Sequence, residues 1–374
     1  MSSLLKDRYS KEFFDKFLLV ISNSSFPISQ KDFYDRLWSS TWEESSLKER
    51  MRHVTQVLKV ILPSDPIKGL AIIQDYTHLL KKVHSTEYSL EYLFLADYIA
   101  ESGIQHFEVA METIEVVTTF TSCEFAVRPF FKQYPDEMLQ QMLLWSKHDN
   151  VHLRRLASEG SRPKLPWGEA LTAFVADPTP ILPILHNLKN DTSEYVRRSV
   201  ANNLNDISKT HPQLVLQVSK EWIGGSNETN QLVKHALRSL LKAGNQEALN
   251  TIGIEANQEI IPTNFSLLTD KINIGSKLHF SFSIQNQSSQ SCMVRLEYRL
   301  YFKRMNKEMG TKVFKISEKL ITSNQIVDFQ RYYSFHPITT RKYYPGSHAI
   351  ELIVNGVASN YTLFEVIDSK NLLK

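Results

Sequence analysis

His152-Leu-Arg-Arg-Leu-Ala-Ser158 returns 43 residues later as Tyr195-Val-Arg-Arg-Ser-Val-Ala201, and 37 residues after that, more loosely, as Leu232-Val-Lys-His-Ala-Leu-Arg238. A fixed period of this size is the signature of a stacked repeat built from helical pairs. Such units bury little alone and pack on their neighbours into a curved solenoid, whose concave face comes from the second helix of each pair. In the first two units Asp149 or Asp191 stands in the preceding turn, where it is expected to cap that second helix.

The surroundings agree with helical pairs of the HEAT type. Leu58, Ile61 and the segment Leu70–Val83 carry apolar residues at spacings of three and four, as do Leu90–Ile99, Phe107–Val117, Met138–Trp145, Leu214–Trp222 and Leu232–Leu241. Pro63, Pro66, Pro135, Pro178, Pro180 and Pro212 punctuate them, several where a new helix would begin. From about Asn257 the period drops towards two. Phe265–Leu267, Leu278–Ile284, Met293–Phe302, Val313–Ile316 and His348–Val354 alternate, with turn residues at Asn286–Ser291 and at Asn355-Gly356. Seven or so short strands in this space predict an immunoglobulin-like β-sandwich without a core disulfide. The reading is a HEAT-like α-helical solenoid over residues 1–256 and an all-β sandwich over 257–374.

Composition narrows the function. Of 374 residues, 42% are hydrophobic and 22% charged, which fits a globular chain of two or three domains. No apolar run approaches the ~20 residues of a membrane-spanning helix, and no signal core follows Met1. Two cysteines, Cys123 and Cys292, are too few for a disulfide framework, so a reduced, cytoplasmic setting is expected. The charge is uneven: residues 257–374 hold 15 Lys and Arg against 9 Asp and Glu, while the helical part is slightly acidic. A basic second domain suits an anionic partner such as nucleic acid, although a solvated basic face gives the same count.

Chemistry concentrates in Arg155-Leu-Ala-Ser-Glu-Gly-Ser-Arg-Pro-Lys-Leu-Pro-Trp167. A helix bearing Arg155 and Glu159 is expected to stop at Gly160, after which Arg162, Pro163, Lys164 and Pro166 lead to a stiffly held Trp167. One repeat later Arg198, Asn202 and Asp206 fall on one polar face, opposite the apolar stripe Val196, Val200, Leu204 and Ile207. Glu124 and Arg128 form a further pair. Each set could be an ordinary surface ion pair, and for Glu124 with Arg128 the favourable order of acid before base supports that. Alternatively, arginines hold phosphates while carboxylates face the positive charge that develops between them. The histidines show no metal-ligand spacing, and Cys123 has no histidine placed to activate it.

These residues resemble the AlkC branch of the AlkC/AlkD DNA glycosylases. Arg155–Trp167 is close to its signature, Glu124-Phe-Ala-Val-Arg-Pro-Phe130 and Ser193-Glu-Tyr-Val-Arg-Arg-Ser-Val-Ala-Asn-Asn-Leu-Asn-Asp206 to its flanking motifs, and the trailing sandwich to the form with an appended immunoglobulin-like domain. The resemblance implies excision of the cationic bases 3-methyladenine and 3-methylcytosine from duplex DNA, without turning the lesion out of the helix. It implies Glu124, Glu159, Trp167 and Asp206 as the active-site set, with Arg155 and Arg198 on the DNA backbone. Arg128, Arg162 and Lys164, and in the sandwich Lys303, Arg304 and Lys307, are expected to bind DNA as well. No cofactor and no metal is called for, since a methylated base already carries the charge that lets it leave. No membrane or obligate protein partner is expected, and the chain would act as a monomer. The rival from another class is a non-catalytic HEAT-type scaffold using the same concave face.

Overall fold

A computed structural model describes residues 5–84, 90–256, 259–305, 309–338 and 341–368. Among them lie sixteen α-helices followed by nine β-strands, and no helix is long and apolar enough to cross a membrane. The chain forms two compact units: residues 1–210 with 226–236, and residues 211–225 with 237–374.

In the first unit the expected stripe is buried, with Val196, Val200, Leu204 and Ile207 at most 1% exposed. The repeat becomes a row of adjacent helices, Val151–Gly160 beside Glu194–Ile207 beside Asn227–Ala236, while Pro135–Trp145 packs on Leu182–Leu188 as a second row. The shared Arg-Arg explains the register. Arg154 donates from Nη1 to the carbonyls of His148 and Asp149 at 3.0 and 2.6 Å, and Arg197 donates to those of Asp191 and Thr192 at 2.6 and 3.0 Å. Arg154 also grips the Asp191 carboxylate through Nε at 2.6 Å and Nη2 at 3.1 Å, tying one repeat to the next.

The caps differ from expectation. Asn150, not Asp149, caps Val151–Gly160 by accepting from the His152 amide at 2.9 Å. Asp191 accepts from the Ser193 amide ahead of its helix, because its carboxylate is drawn to Arg154. Gly160 is a close-approach residue inside the last turn: a Cβ there would stand 2.8 Å from Val127 Cγ2 and 2.9 Å from Met142 Cε. The expected helix Leu232–Leu241 is interrupted at Leu237, giving Asn227–Ala236 and Arg238–Lys242. Pro66, Pro135 and Pro212 do open helices, where a missing N–H is no loss.

In the second unit the last helix, Gln246–Thr251, is followed by β1 (Ile260–Leu267), β2 (Lys271–Asn273), β3 (Lys277–Asn286), β4 (Cys292–Lys303), β5 (Met309–Ile321), β6 (Ile326–Ser334), β7 (Gly346–Val354), β8 (Val357–Ala358) and β9 (Thr362–Ile367). One sheet runs β1-β3-β6 and the other β2-β9-β7-β4-β5, with β8 beside β7. Between them Leu278, Phe280, Phe282, Leu296, Leu300, Ile350 and Leu352 form the core. Sequence alternation missed β2, β6, β8 and β9: β2 and β8 are three and two residues long, while in β6 the inward Phe329 stands between Asp328 and Gln330 and in β9 Phe364 and Val366 flank Glu365.

The turn Asn355-Gly356 has φ of 47° and 81°, as a tight hairpin requires. It packs on the helical end of its own unit: Asn355 Nδ2 donates to the Glu255 carbonyl at 2.8 Å, and a Cβ on Gly244, itself at φ 73°, would lie 2.9 Å from the Gly356 carbonyl oxygen. Gly244→Ala therefore meets both a left-handed backbone and a rigid neighbour. We expect it to lower unfolding free energy by about 2 kcal/mol, read from the urea midpoint.

A buried charge chain as candidate active site

Three segments of the first unit bring the motif residues together. Glu124 lies just ahead of the helix Val127–Gln133, Arg155 and Glu159 lie on Val151–Gly160, and Asp206 ends Glu194–Ile207. The result is a line of alternating charge: Glu124, Arg155, Glu159, Arg162, Asp206, Lys209. Arg155 Nη1 pairs with Glu124 and donates to Ser122 Oγ at 3.0 Å, while Nη2 stands 3.7 Å from Glu159 Oε1. Arg162 donates from Nη1 to Glu159 Oε1 at 2.6 Å and reaches Asp206 Oδ2 through Nε and Nη2 at 2.8 and 2.7 Å. Lys209 closes the line at Asp206 Oδ1, 2.9 Å away.

The carboxylates are not equivalent. Glu159 and Asp206 are buried, 6% and 3% exposed, and both oxygens of each are engaged, Glu159 Oε2 by Ser199 Oγ at 2.7 Å. Glu124 is half-buried and receives Ser122 Oγ and Arg155 on the same oxygen, Oε2, which leaves Oε1 without a partner among the described residues. Glu124 is therefore the carboxylate best able to accept from a water or face a developing cation.

Two expected DNA-binding arginines are not available to DNA. Arg128 is 2% exposed and its donors are spent on the carbonyls of Glu169, Gly160 at 3.2 Å and Arg162 at 3.1 Å. Burial pulls its guanidinium down to about 10. It is an internal strut for the Gly160–Glu169 loop, and the expected Glu124–Arg128 helix pair does not form. Arg162 is 6% exposed; burial opposes its charge, but Glu159 and Asp206 more than reverse this and hold its pKa above the usual value. Arg155 is likewise paired with protein carboxylates and stacks its guanidinium 5.1 Å from the Tyr195 ring centre.

Other expected residues are at the surface. Arg198 and Lys164 are exposed, with no ion-pair partner among the described residues. Trp167 is 65% exposed and has φ 63°, a left-handed backbone that bulky residues rarely adopt. Lys48 of the helix Leu47–Ile61 donates to its carbonyl, and the Lys48 ammonium sits 5.3 Å from the Phe125 ring centre. Cys123 is fully enclosed, and burial pushes its thiol well up, which removes it as a nucleophile.

In the sandwich, Lys303 ends β4 and Arg304 follows it; Lys307 lies outside the described residues. Sequence reading missed their partners. Lys312 on β5 and Arg341-Lys342 beside β7 join Lys303 and Arg304 around one concavity of about 280 Å³, with Tyr343 and Tyr344 and no acidic residue in its lining. The signal was present only as separate short basic stretches, of which the β4–β5 pairing brings Lys303 and Lys312 to one end of the sheet.

The comparisons follow the same division. Residues 54–240 match the family described as DNA alkylation repair enzyme, and residues 262–368 match the C-terminal Ig-like domain described for the uncharacterised protein YhaZ. The chain is 40% identical to the protein YhaZ of Bacillus subtilis (strain 168) over 362 residues, 97% of this chain and 99% of that one. It superimposes with a TM-score of 0.92 on the alkylpurine DNA glycosylase AlkC of Pseudomonas fluorescens, solved bound to DNA containing an abasic site analog, at 33% identity over 98% of this chain and 100% of that chain. With its charge chain, its helical repeat and its trailing Ig-like sandwich, the chain belongs to the DNA alkylation repair enzyme family, in the AlkC-like form.

Proposed function

We propose that the chain is a monofunctional DNA glycosylase that hydrolyses the N-glycosidic bond of cationic alkylated bases, 3-methyladenine and 3-methylcytosine, in duplex DNA. It acts as a cytoplasmic monomer without cofactor and without turning the base out of the helix. Residues 1–256 are the catalytic part and 257–374 a DNA-binding sandwich. The observation that supports the reading best is the open oxygen of Glu124 at one end of an internally neutralised line of carboxylates.

The reaction asks little of the protein. As the C1′–N bond lengthens, its electron pair discharges the methylated base and leaves an oxocarbenium-like sugar. Glu124 Oε1 stabilises that charge and accepts a proton from the attacking water, the task carboxylates perform in glycoside hydrolysis. Asp206 joins when the half-exposed Lys209 releases Oδ1. Glu159 is a positioning residue that acts through Arg155 and Arg162. Trp167 lies against the sugar or cationic base, where cation–π attraction is worth about 2 kcal/mol when desolvated. Arg198 and Lys164 hold phosphates of the solenoid-bound backbone, and Lys303, Arg304, Lys312, Arg341 and Lys342 hold phosphates at the sandwich.

Three measurements follow. Glu124→Gln should release methylated base from alkylated duplex at least tenfold more slowly while the protein stays folded, since the change is isosteric and keeps an oxygen beside Arg155; normal rates would remove Glu124 from the chemistry. Asp206→Asn should lose both excision and stability, because it strips charge from buried Arg162. Arg198→Ala should weaken damaged and undamaged duplexes alike and shallow the slope of log affinity against log salt by about 0.9, whereas Arg304→Gln with Lys342→Gln should shallow it by nearly twice that. A loss confined to damaged DNA would mean that these cations read the lesion.

A further inference from the structure

Glu124 shares its held oxygen with a serine two residues earlier. The Ser122 hydroxyl donates to Glu124 Oε2 and accepts from Arg155 Nη1 at 3.0 Å. Most side-chain hydroxyls in folded proteins bond a backbone group or water, often to cap a helix. Ser122 does neither among the described residues: the next helix, Val127–Gln133, begins after Ala126 without a side-chain cap. Its hydroxyl is committed to the corner between a carboxylate and a guanidinium. At 2% exposed, Ser122 is too enclosed to meet DNA, so any part it has in the reaction passes through Glu124 and Arg155.

The way Arg155 pairs shows what that corner does. A guanidinium and a carboxylate attract most strongly as matched forks, two N–H groups on two oxygens. Arg155 does not pair with Glu124 in that way. Nη1 meets Oε2, and Nη2 is turned to Glu159 Oε1, 3.7 Å away, while Tyr195 covers the guanidinium with its ring centre 5.1 Å off. The hold of Glu159 is weak, because Arg162 already occupies that oxygen at 2.6 Å.

We propose that Ser122 is a positioning residue that keeps Arg155 in this single-point pairing and so leaves Glu124 Oε1 free to act. The proposal rests on the glycosylase reading above. Without the hydroxyl, Nη1 loses an acceptor and Oε2 loses a donor. The fork can then turn until its two nitrogens take both Glu124 oxygens, and the oxygen that would face the water or the developing cation is covered. Glu124 remains charged and paired, which separates this effect from a loss of fold.

The test is a double-mutant cycle between Ser122 and Glu124 in the full-length protein. Its readout is the single-turnover rate of base release from alkylated duplex, with duplex affinity and melting measured alongside. Ser122→Ala should slow release at least tenfold while affinity stays within about twofold and the protein stays folded. Ser122→Cys, whose thiol is only a weak donor, should do the same and carries the test if the alanine variant fails to fold. In the Glu124→Gln background the same change should cost less than about twofold, because the oxygen that Ser122 protects is already gone. If Glu124→Gln is slow but the Ser122 variants release base at the wild-type rate, the proposal is overturned. It is overturned equally by a loss that appears in duplex affinity, or by one of the same size in both backgrounds. Wild-type rates in Glu124→Gln, or a protein that releases no base from alkylated DNA, overturn instead the reading on which it rests.

Discussion

Arg162 is the residue on which the rest of the site depends. Its guanidinium is nearly sealed from water and lies between Glu159 and Asp206, two carboxylates that are themselves buried. None of the three could be charged there alone, since an isolated buried ion costs several kcal/mol and is normally neutralised instead. Together they compensate one another, and the line continues outward through Arg155 to Glu124 and through Lys209 to solvent. At the end opposite Lys209, Glu124 keeps one oxygen open because Arg155 and Ser122 both hold the other.

The backbone is arranged around that line. Arg128 threads under the Gly160–Glu169 loop and binds three of its carbonyls, which fixes where Arg162 starts. Gly160 lets the helix carrying Glu159 approach Val127 and Met142 closely. At the far end of the same loop, Trp167 is kept in a left-handed conformation that costs about 1–2 kcal/mol and must be offset by its surroundings. Lys48, from a helix more than a hundred residues away in sequence, supplies one such contact.

Much of this was legible in the sequence. The Arg-Arg repeat fixed the helical register because both copies of its first arginine make the same carbonyl contacts, and the stripe from Val196 to Ile207 is buried as its spacing requires. The motif residues Glu124, Arg155, Glu159 and Asp206 do converge. What the sequence could not tell was direction. Arg128 and Arg162 read as cations for DNA, yet each turns inward, because burial depends on loop closure and not on residue type. Asp149 and Asn150 are equally good caps locally, and only the chain path chose Asn150. The sandwich cations Lys312, Arg341 and Lys342 were invisible as a group because about thirty residues separate Lys312 from the Arg341-Lys342 pair and only the fold brings them to one concavity.

The claim that Arg162 and its carboxylates stand or fall together is tested most directly by a double-mutant cycle. Unfolding free energies would be measured for the wild type, Arg162→Met, Asp206→Asn and the double variant. Arg162→Met alone leaves buried carboxylates uncompensated and should cost about 3–5 kcal/mol. Asp206→Asn in the same background removes one of those charges, so the double variant should be more stable than Arg162→Met, a coupling of at least about 1 kcal/mol. Additive losses would contradict the account, because they would mean that Arg162 and Asp206 are held in place independently.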